Sequence, residues 1–569
     1  MFPTIFVSIL MLLIAGSHAQ IVNTDCGSYR GSITPTKAGQ VFEFLQMPYA
    51  EPPVEDLRWT HSKLRLHSNC DSDSVHDATV ETQKEIIKCV QPYKDNATVV
   101  GQEDCLYLSV RTPSLEPNIS LPVLVWIHGG SLKAGYGEEP GYSCDADLTD
   151  ELQMVTVNIN YRLEIFGFLS SPDIWDDPEN PGNFGNFGIG DAITALQWVK
   201  NNIANFGGNP DSVTILGESS GGTIVLGLLG SEKADGLFQK AISLSSPPIW
   251  RASPQSAYEF TWKDLADKVG CTGSSVIDRR SCLKSKPVLD LIKSRVDTIN
   301  ARGTGFYDFP YSQGKEGESM DYNVIDRFIV NRGPFDLFVH ERRQKVEIII
   351  GNTAQETGTN AIFYETNKIS TWKEAENLLS QKIDTFLSHV GRYHPSKWSL
   401  LNRIKRTYNF GRDSEDWWPQ MFYDTLTTDV RTTCLNNDLV DALNRNRKIT
   451  SYRLYVKSRP NEILCGTPWS AIHGWDSEAL FGYGWYAPYL EDSTVSDVHQ
   501  VQLEDNMRHL VKSFASGRIS DLWNSKNALI LENDHFPNTV HLTGEHETPQ
   551  KKKCMTWRSL HMLQYGWEN

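Results

Sequence analysis

A serine between two glycines is the clearest candidate for chemistry in this sequence. Gly217-Glu218-Ser219-Ser220-Gly221 follows the run SVTIL and precedes GTIVLGLLG, which is compatible with a helix. A strand, a tight turn and a helix around G-x-S-x-G are the context of a nucleophile elbow, which exposes a serine hydroxyl at a strand end. The glycines leave room for the turn and for the approaching substrate. The pattern alone is only suggestive, because it is expected about 0.2 times by chance in a chain of this length.

A serine hydroxyl is a weak nucleophile at neutral pH, so a general base must take its proton and a carboxylate must orient that base. The chain offers 15 histidines and 70 aspartates and glutamates. Composition cannot choose among them, and for any single histidine an ordinary core or surface role is the better expectation. The pentapeptide therefore indicates acyl transfer without identifying the partners of Ser219.

The elements that must position this serine alternate along the chain. A helical pattern of Ile193, Leu196, Val199 and Ile203 lies within residues 191–205 and ends at Gly207-Gly208. Short apolar segments predict strands at residues 121–127, 154–160, 212–216, 240–244, 346–350 and 451–456. Such alternation predicts an α/β fold with a central, mostly parallel sheet and helices on both faces. Without a repeat or linker, residues 20–569 are expected to form a single domain, with 252–331 as an insertion over the sheet.

Composition excludes several classes of protein. Hydrophobic residues make up 40% and charged residues 22% of the 569 positions, which is typical of a soluble globular protein. The mean hydropathy of −0.38 agrees with this. A net charge of −16 argues against nucleic acid as a partner. The one dense basic run, Lys551-Lys552-Lys553, is read as a solvated face in preference to a functional patch.

The N-terminus and the cysteines indicate secretion. An apolar stretch at residues 5–15 followed by Ser17-His18-Ala19 predicts a signal peptide of residues 1–19, and no later stretch suggests a membrane anchor. The sequons at Asn96 and Asn118 are candidate glycosylation sites. Ten cysteines, an even number, suit disulfide formation in an oxidising compartment.

The string NIANFGGNPDSVTILGESSGG around the serine resembles the active-serine signature of the type-B carboxylesterase and cholinesterase family. The segment QEDCLYL, residues 102–108, resembles the second signature of that family. Similar pieces occur at 48–53, 57–59, 160–169 and 195–199, so the resemblance extends from about Gly27 to Trp557. It implies an α/β-hydrolase fold with long insertions over the active site.

The resemblance also identifies candidate partners for Ser219. Residues 471–475, AIHGW, are similar to the segment that carries the catalytic histidine, which implies His473 as the base. Residues 351–356, GNTAQE, are similar to the segment that carries the acid, which implies Glu356. The resulting order of serine, acid and histidine is the order of an α/β-hydrolase. Thr357 stands where the family usually has glycine.

The same resemblance implies an oxyanion hole made by the backbone N–H groups of Gly130, Ser131 and Ser220. The loop reads His128-Gly129-Gly130-Ser131, where the family usually shows a third glycine. Serine keeps the N–H donor, but its Cβ restricts the backbone and can tilt that donor. Losing one such donor typically lowers turnover about 100- to 1000-fold, so a distorted loop would leave a slow enzyme.

The family's disulfides imply three pairs, Cys89 with Cys105, Cys271 with Cys282, and Cys434 with Cys554. Four cysteines have no counterpart in the family, and for them we suggest Cys26 with Cys70 and Cys144 with Cys465.

The predicted function is that of a secreted serine esterase acting on small carboxylic esters through an acyl-enzyme. A general carboxylesterase is favoured, since Asp95 occupies the position where choline-binding relatives carry a tryptophan. Trp475 and Phe306 are candidates for lining the pocket. The alternatives are a non-catalytic binding or adhesion protein and an esterase that deacylates very slowly. We expect no cofactor and no metal, and the sequence leaves open whether a homodimer forms.

Overall fold

A computed structural model describes most of the chain. It covers residues 20–66, 70, 74–83, 85–92, 98–175, 182–246, 248, 250, 253–294, 324–339, 345–358, 369–390, 396–412, 418–458, 471–482, 498–521, 523, 525–532, 539–542 and 548–560. The signal peptide predicted at residues 1–19 lies outside these ranges, as do Asn96, Asp95, Phe306 and Cys465.

A large mixed sheet forms the centre of the molecule. The strands are β1 Gln20–Thr24, β2 Gly27–Pro35, β3 Gln40–Pro48, β4 Val75–Asp77, β5 Gln91–Pro92, β6 Val99–Val100, β7 Tyr107–Thr112, β8 Leu121–Ile127, β9 Val155–Ile159, β10 Gly208–Glu218, β11 Lys240–Leu244, β12 Val346–Thr353, β13 Ile449–Val456, β14 Ala528–Glu532 and β15 Thr539–Leu542. The order in the large sheet is β1-β2-β3-β7-β9-β8-β10-β11-β12-β13-β14-β15, with β4 paired to β2, and β5 and β6 form a separate two-stranded sheet. From β9 to β14 all neighbours are parallel.

Helices connect and cover these strands. The α-helices are α1 Ala146–Leu152, α2 Glu164–Phe168, α3 Pro172–Trp175, α4 Phe187–Asn202, α5 Ser220–Leu229, α6 Pro254–Ala257, α7 Leu265–Lys268, α8 Val276–Ser285, α9 Trp372–Val390, α10 Lys397–Thr407, α11 Pro419–Thr428, α12 Cys434–Leu443, α13 Trp475–Phe481, α14 Val498–Ala515 and α15 Lys551–Ser559. Short 3-10 turns occur at Glu55–Leu57, Ile203–Phe206, Glu232–Ala234, Pro334–Val339, Glu356–Gly358 and Ile519–Asp521, and π-helical turns at Tyr258–Trp262 and Asp429–Thr433.

The core lies on both faces of the sheet. Alternate residues of β8 point to opposite sides, so that Val123 and Val125 join one apolar cluster while Leu124 and Trp126 join another. Helices α4 and α5 cover the first face, and α1, α13 and α14 cover the second. A third cluster holds α9, α10, α11 and α15 together. Because strands buried on both faces can be apolar throughout, their runs lack the alternation of half-exposed strands.

The six predicted strands agree with β8 to β13, within a few residues at each end. The helix expected at 191–205 begins earlier, at Phe187, and its last turn tightens to a 3-10 helix before Gly207, which adopts φ 80°. Part of the expected insertion at 252–331 contains the short helices α6, α7 and α8. The division into a signal peptide and one domain stays a prediction.

Four disulfides join cysteines of the described residues, in the pairs Cys26–Cys70, Cys89–Cys105, Cys271–Cys282 and Cys434–Cys554. The suggested bond between Cys144 and Cys465 is wrong, because Cys144 is a free thiol. Its side chain is fully buried in the cluster that contains Trp126 and Met154. Burial also raises the pKa of this thiol well above its usual range, which makes it unreactive.

Candidate active site

Ser219 lies in the sharp turn between β10 and α5. Its backbone adopts φ 54° and ψ −125°, a strained conformation for a residue that carries a Cβ. The flanking glycines are required by close contacts: a Cβ at Gly217 would lie 2.3 Å from the carbonyl oxygen of Gly221, and one at Gly221 would lie 2.1 Å from that of Ile127. The local sequence therefore places the serine hydroxyl at the carboxyl end of a central strand.

His473 and Glu356 lie beside this serine. The His473 Nε2 atom is 2.8 Å from Ser219 Oγ, and its Nδ1 atom is 2.6 Å from Glu356 Oε2. Glu356 begins the turn after β12, and His473 precedes α13. The two loops are joined at Gln355, whose N–H donates to Ala471 O at 2.9 Å and whose Oε1 accepts from Ala471 N–H at 3.1 Å. Three residues distant in sequence thus form a continuous hydrogen-bonded chain.

Glu356 is completely buried and held by two further donors. Its Oε1 atom accepts from the backbone N–H of Thr353 and from the hydroxyl of Ser245, both at 2.7 Å. The Ser245 hydroxyl is also 2.9 Å from Oδ2 of Asp476. Burial, followed by the charges of Glu356 and Glu218, raises the pKa of Asp476 to about 8. The raised pKa favours the neutral form of Asp476, which reduces the repulsion between this carboxyl group and its acidic neighbours.

Glu218 is a second carboxyl group next to the histidine. One of its oxygens is 3.3 Å from His473 Nε2, and the other accepts a hydrogen bond from the Tyr142 hydroxyl. Burial raises the pKa of Glu218 to about 7, although the positive charge of His473 opposes this shift. Burial lowers the pKa of His473, but the carboxylates of Glu218 and Glu356 outweigh it and raise the pKa to about 9. Both carboxylates favour the imidazolium form.

The loop after β8 approaches the nucleophile elbow. Gly130 adopts φ 110°, and a Cβ there would lie 2.1 Å from Ala134 O. Ser131 and Leu132 both adopt φ 58°. The left-handed region favours glycine, so Ser131 and Leu132 both adopt a backbone conformation that is unfavourable for a residue with a Cβ. The N–H of Leu132 donates to Ser220 Oγ at 3.1 Å, which brings this loop against the first residue of α5.

Comparisons with known proteins identify the family of this chain. The model of the carboxylesterase family matches residues 18–549. The chain belongs to the carboxylesterase family. Mouse carboxylesterase 1D is 29% identical over 535 residues, covering 90% of this chain and 88% of that protein. The acetylcholinesterase of Bungarus fasciatus is 29% identical over 476 residues, covering 81% of this chain and 73% of that protein.

Membership of the carboxylesterase family makes this chain a carboxylic ester hydrolase by class. Among solved structures, a PNB esterase superposes with a TM-score of 0.67 at 24% identity, covering 94% of this chain and 100% of that one. This likeness concerns the fold. The α/β-hydrolase architecture expected from the sequence is confirmed by the family match and by this superposition.

Other residues singled out in the sequence lie elsewhere. Asn118 is exposed in the turn before β8, where a glycan would reach solvent. Trp475 is 1% exposed and packs in the cluster on the second face of the sheet. It is therefore a core residue and does not line a pocket. No helix within the described ranges has the length and apolar composition needed to cross a bilayer. No group of three or more potential metal ligands occurs in that part of the chain either.

Three residues around His473 have no functional signal in the sequence. Tyr142 and Ser245 reach the site only through the fold, and the hydrogen bond between Ser245 and Asp476 spans 231 positions. Asp476 is three residues beyond His473, but nothing in its local pattern separates it from an ordinary first-turn acid of α13. Glu218 precedes the serine in the pentapeptide, and its contact with His473 appears only in the structure.

Proposed function

We propose that this carboxylesterase-family chain is a secreted serine esterase with Ser219 as nucleophile, His473 as general base and Glu356 as the acid that orients the base. The supporting observation is the unbroken chain of contacts from Ser219 Oγ through both nitrogens of His473 to Glu356. A base must reach the proton that it removes, and 2.8 Å is within that reach. The carboxylate at Nδ1 selects the tautomer whose Nε2 lone pair faces the hydroxyl.

The reaction proceeds in two halves. Ser219 Oγ attacks the ester carbonyl carbon while His473 takes the hydroxyl proton, and the tetrahedral intermediate collapses when His473 returns that proton to the departing alcohol. A water molecule then attacks the acyl-enzyme with His473 again as base, releasing the carboxylic acid and restoring the Ser219 hydroxyl. Glu356, through its contact with Nδ1, orients His473 and stabilises the imidazolium that forms twice in each cycle.

The oxyanion of each intermediate requires donors fixed in advance. We assign this role to the backbone N–H groups of Gly130, Ser131 and Ser220. Ser220 is the first residue of α5, where the N–H has no acceptor within the helix and the helix dipole favours negative charge. Gly130 and Ser131 lie in the loop after β8, which contacts Ser220 through Leu132.

The substrates are expected to be uncharged carboxylic esters, because Asp95 replaces the tryptophan that holds the choline group in choline-specific relatives. Secretion is supported by the N-terminal apolar segment and by four disulfides, which persist in oxidising compartments. Glycosylation at Asn96 and Asn118 belongs to the same proposal. N-terminal sequencing of the exported protein tests it: a chain that begins at Gln20 supports secretion, and one that begins at Met1 contradicts it.

A second candidate is a protein that acylates but deacylates very slowly, or that only binds esters. The observation that favours it is the left-handed conformation of Ser131, because a tilted donor weakens oxyanion stabilisation. Stopped-flow mixing with p-nitrophenyl acetate separates the candidates. Fast turnover after acylation supports the esterase, a single-turnover burst supports the slow enzyme, and the absence of any acylation supports the binding protein.

The covalent step can be tested directly by labelling with a fluorophosphonate and mapping the adduct by peptide mass spectrometry. The proposal predicts the label on Ser219, in a reaction that slows as pH falls because His473 becomes protonated. A label confined to another residue, or no label on a folded protein, would overturn the assignment of the nucleophile.

A further inference from the structure

The loop that carries two of the proposed oxyanion donors has an unusual backbone. Ser131 and Leu132 are consecutive residues with side chains, and both adopt φ 58°. The left-handed conformation is unfavourable for residues that carry a Cβ. A loop of this kind persists only where contacts from outside hold it. Those contacts decide how accurately the donors of Gly130 and Ser131 are aimed.

One hydroxyl group reaches the C-terminal end of the loop. The Leu132 N–H donates to Ser220 Oγ at 3.1 Å, and both residues are buried. The Leu132 carbonyl accepts from the N–H of Glu164 at 2.8 Å, so both polar backbone groups of Leu132 are occupied. The Ser220 side chain therefore fixes the position directly after Ser131.

Tyr161 holds the N-terminal end of the loop. The Tyr161 hydroxyl donates its only proton to His128 O at 2.7 Å. Burial raises the pKa of this phenol, and the neighbouring Ser220 side chain opposes the shift. Residues 129–131 thus lie between two anchored backbone groups, His128 O, which is bound by Tyr161, and Leu132 N–H, which is bound by Ser220 Oγ.

We propose that the Ser220 hydroxyl is a positioning residue that holds the oxyanion loop in register with the nucleophile elbow. This inference rests on the proposed esterase function, in which the backbone N–H of Ser220 is itself a donor to the oxyanion. Because Ser220 directly follows Ser219, one residue links the nucleophile, its own backbone donor and the C-terminal end of the loop that supplies the other two donors. The hydroxyl itself need not touch the substrate, and it acts through the loop.

Ser220→Ala removes the hydroxyl and keeps the backbone donor. Removing an oxyanion donor lowers kcat about 100- to 1000-fold. Misalignment of the two loop donors, the N–H groups of Gly130 and Ser131, is therefore expected to lower kcat about 10- to 100-fold with little change in KM. The dissociation constant of a trifluoromethyl ketone, which forms a tetrahedral adduct on the serine, should rise by the same factor as kcat/KM falls. Active-site titration normalises the rates to folded enzyme.

Ser243→Ala is the matched control, since Ser243 is also buried beside α5 but donates to Gly222 O and contacts Ser246 instead of the loop. It should leave kcat and inhibitor affinity unchanged. Ser220→Thr retains a hydroxyl and should retain most of the activity. Ser131→Gly relieves the backbone strain, so in that background Ser220→Ala should have a smaller effect.

If Ser220→Ala fails to fold, Tyr161→Phe is the second variant. It removes the hydrogen bond to His128 O and should weaken the binding of the same inhibitor. The inference is refuted if the wild type is active and depends on Ser219, but these variants lose only stability, with kcat per titrated site and inhibitor affinity unchanged. A wild type that neither turns over esters nor reacts with the ketone refutes the proposed function instead. The two failures are therefore distinguishable.

Discussion

Replacing Glu356 by glutamine tests how the fold sets the tautomer of His473. The two oxygens of Glu356 have different neighbours: Oε2 faces His473 Nδ1 at 2.6 Å, and Oε1 accepts from the N–H of Thr353 and the hydroxyl of Ser245 at 2.7 Å. The Ser245 hydroxyl can rotate towards Asp476, but the backbone N–H of Thr353 cannot turn away. A glutamine must therefore place its oxygen at Thr353 and its NH2 group at His473.

That orientation makes Nδ1 of His473 an acceptor and moves the imidazole proton to Nε2, which then faces Ser219 Oγ without a free lone pair. The reverse orientation would place the amide NH2 group against the buried Thr353 N–H, at a free-energy cost of about 1–3 kcal/mol. A fully inverted tautomer lowers kcat about 10⁴-fold, but the reverse orientation costs only about 1–3 kcal/mol, so its minor population limits the expected loss of kcat to about 10- to 100-fold. KM should change little, because the substitution leaves the oxyanion loop and the pocket in place.

The assay is steady-state hydrolysis of p-nitrophenyl acetate by Glu356→Gln, with circular dichroism to verify folding. Glu347→Gln is the control, since Glu347 lies on β12, the strand that precedes Glu356, and accepts from the Tyr452 hydroxyl at 3.0 Å, a bond that an amide oxygen preserves. Its kcat should equal that of the wild type. A kcat for Glu356→Gln within tenfold of the wild type would refute the reasoning.

Three further predictions concern the pH profile, the disulfides and the oxyanion loop. Glu218→Gln removes a carboxylate that raises the pKa of His473, so the acidic limb of kcat/KM, where the histidine must be neutral, should move to lower pH. An acidic limb at the same pH in both proteins would exclude a coupling between Glu218 and His473. Replacing Cys434 and Cys554 together by serine opens a cross-link between residues 120 positions apart and should lower the free energy of unfolding by about 2–5 kcal/mol in urea titrations. An unchanged urea midpoint would contradict it. Gly130→Ala places a Cβ 2.1 Å from Ala134 O and should lower kcat about 100-fold, measured against titrated sites.

The central strands could be predicted from sequence because they are buried on both faces and apolar throughout. The runs at 121–127 and 240–244 agree with β8 and β11 residue for residue. The N-terminal strands β2 and β3 were not predicted, since their half-buried and polar patterns are shared with ordinary loops. The short edge strands β4 and β15 depend on pairing with a neighbour.

The active-site residues divide in a similar way. Ser219 has a local signal, because the turn requires its glycines, whereas His473 and Glu356 needed the resemblance to a family. Tyr142 and Ser245 carry no local signal, because each reaches the site through contacts between distant elements, whereas Asp476 follows His473 closely but has the pattern of an ordinary first-turn acid. The left-handed φ of Ser131 was expected only as a restriction, and the contacts that stabilise the loop, from Ser220 and Glu164, appear only in three dimensions.

The most direct test of the account is the rate of hydrolysis of p-nitrophenyl acetate by the purified protein and by Ser219→Ala. The account predicts sustained, saturable turnover by the wild type and a rate for the variant that cannot be distinguished from the reaction without enzyme. Equal turnover by both proteins would place the chemistry elsewhere. An inert wild type that is folded would contradict the esterase assignment itself.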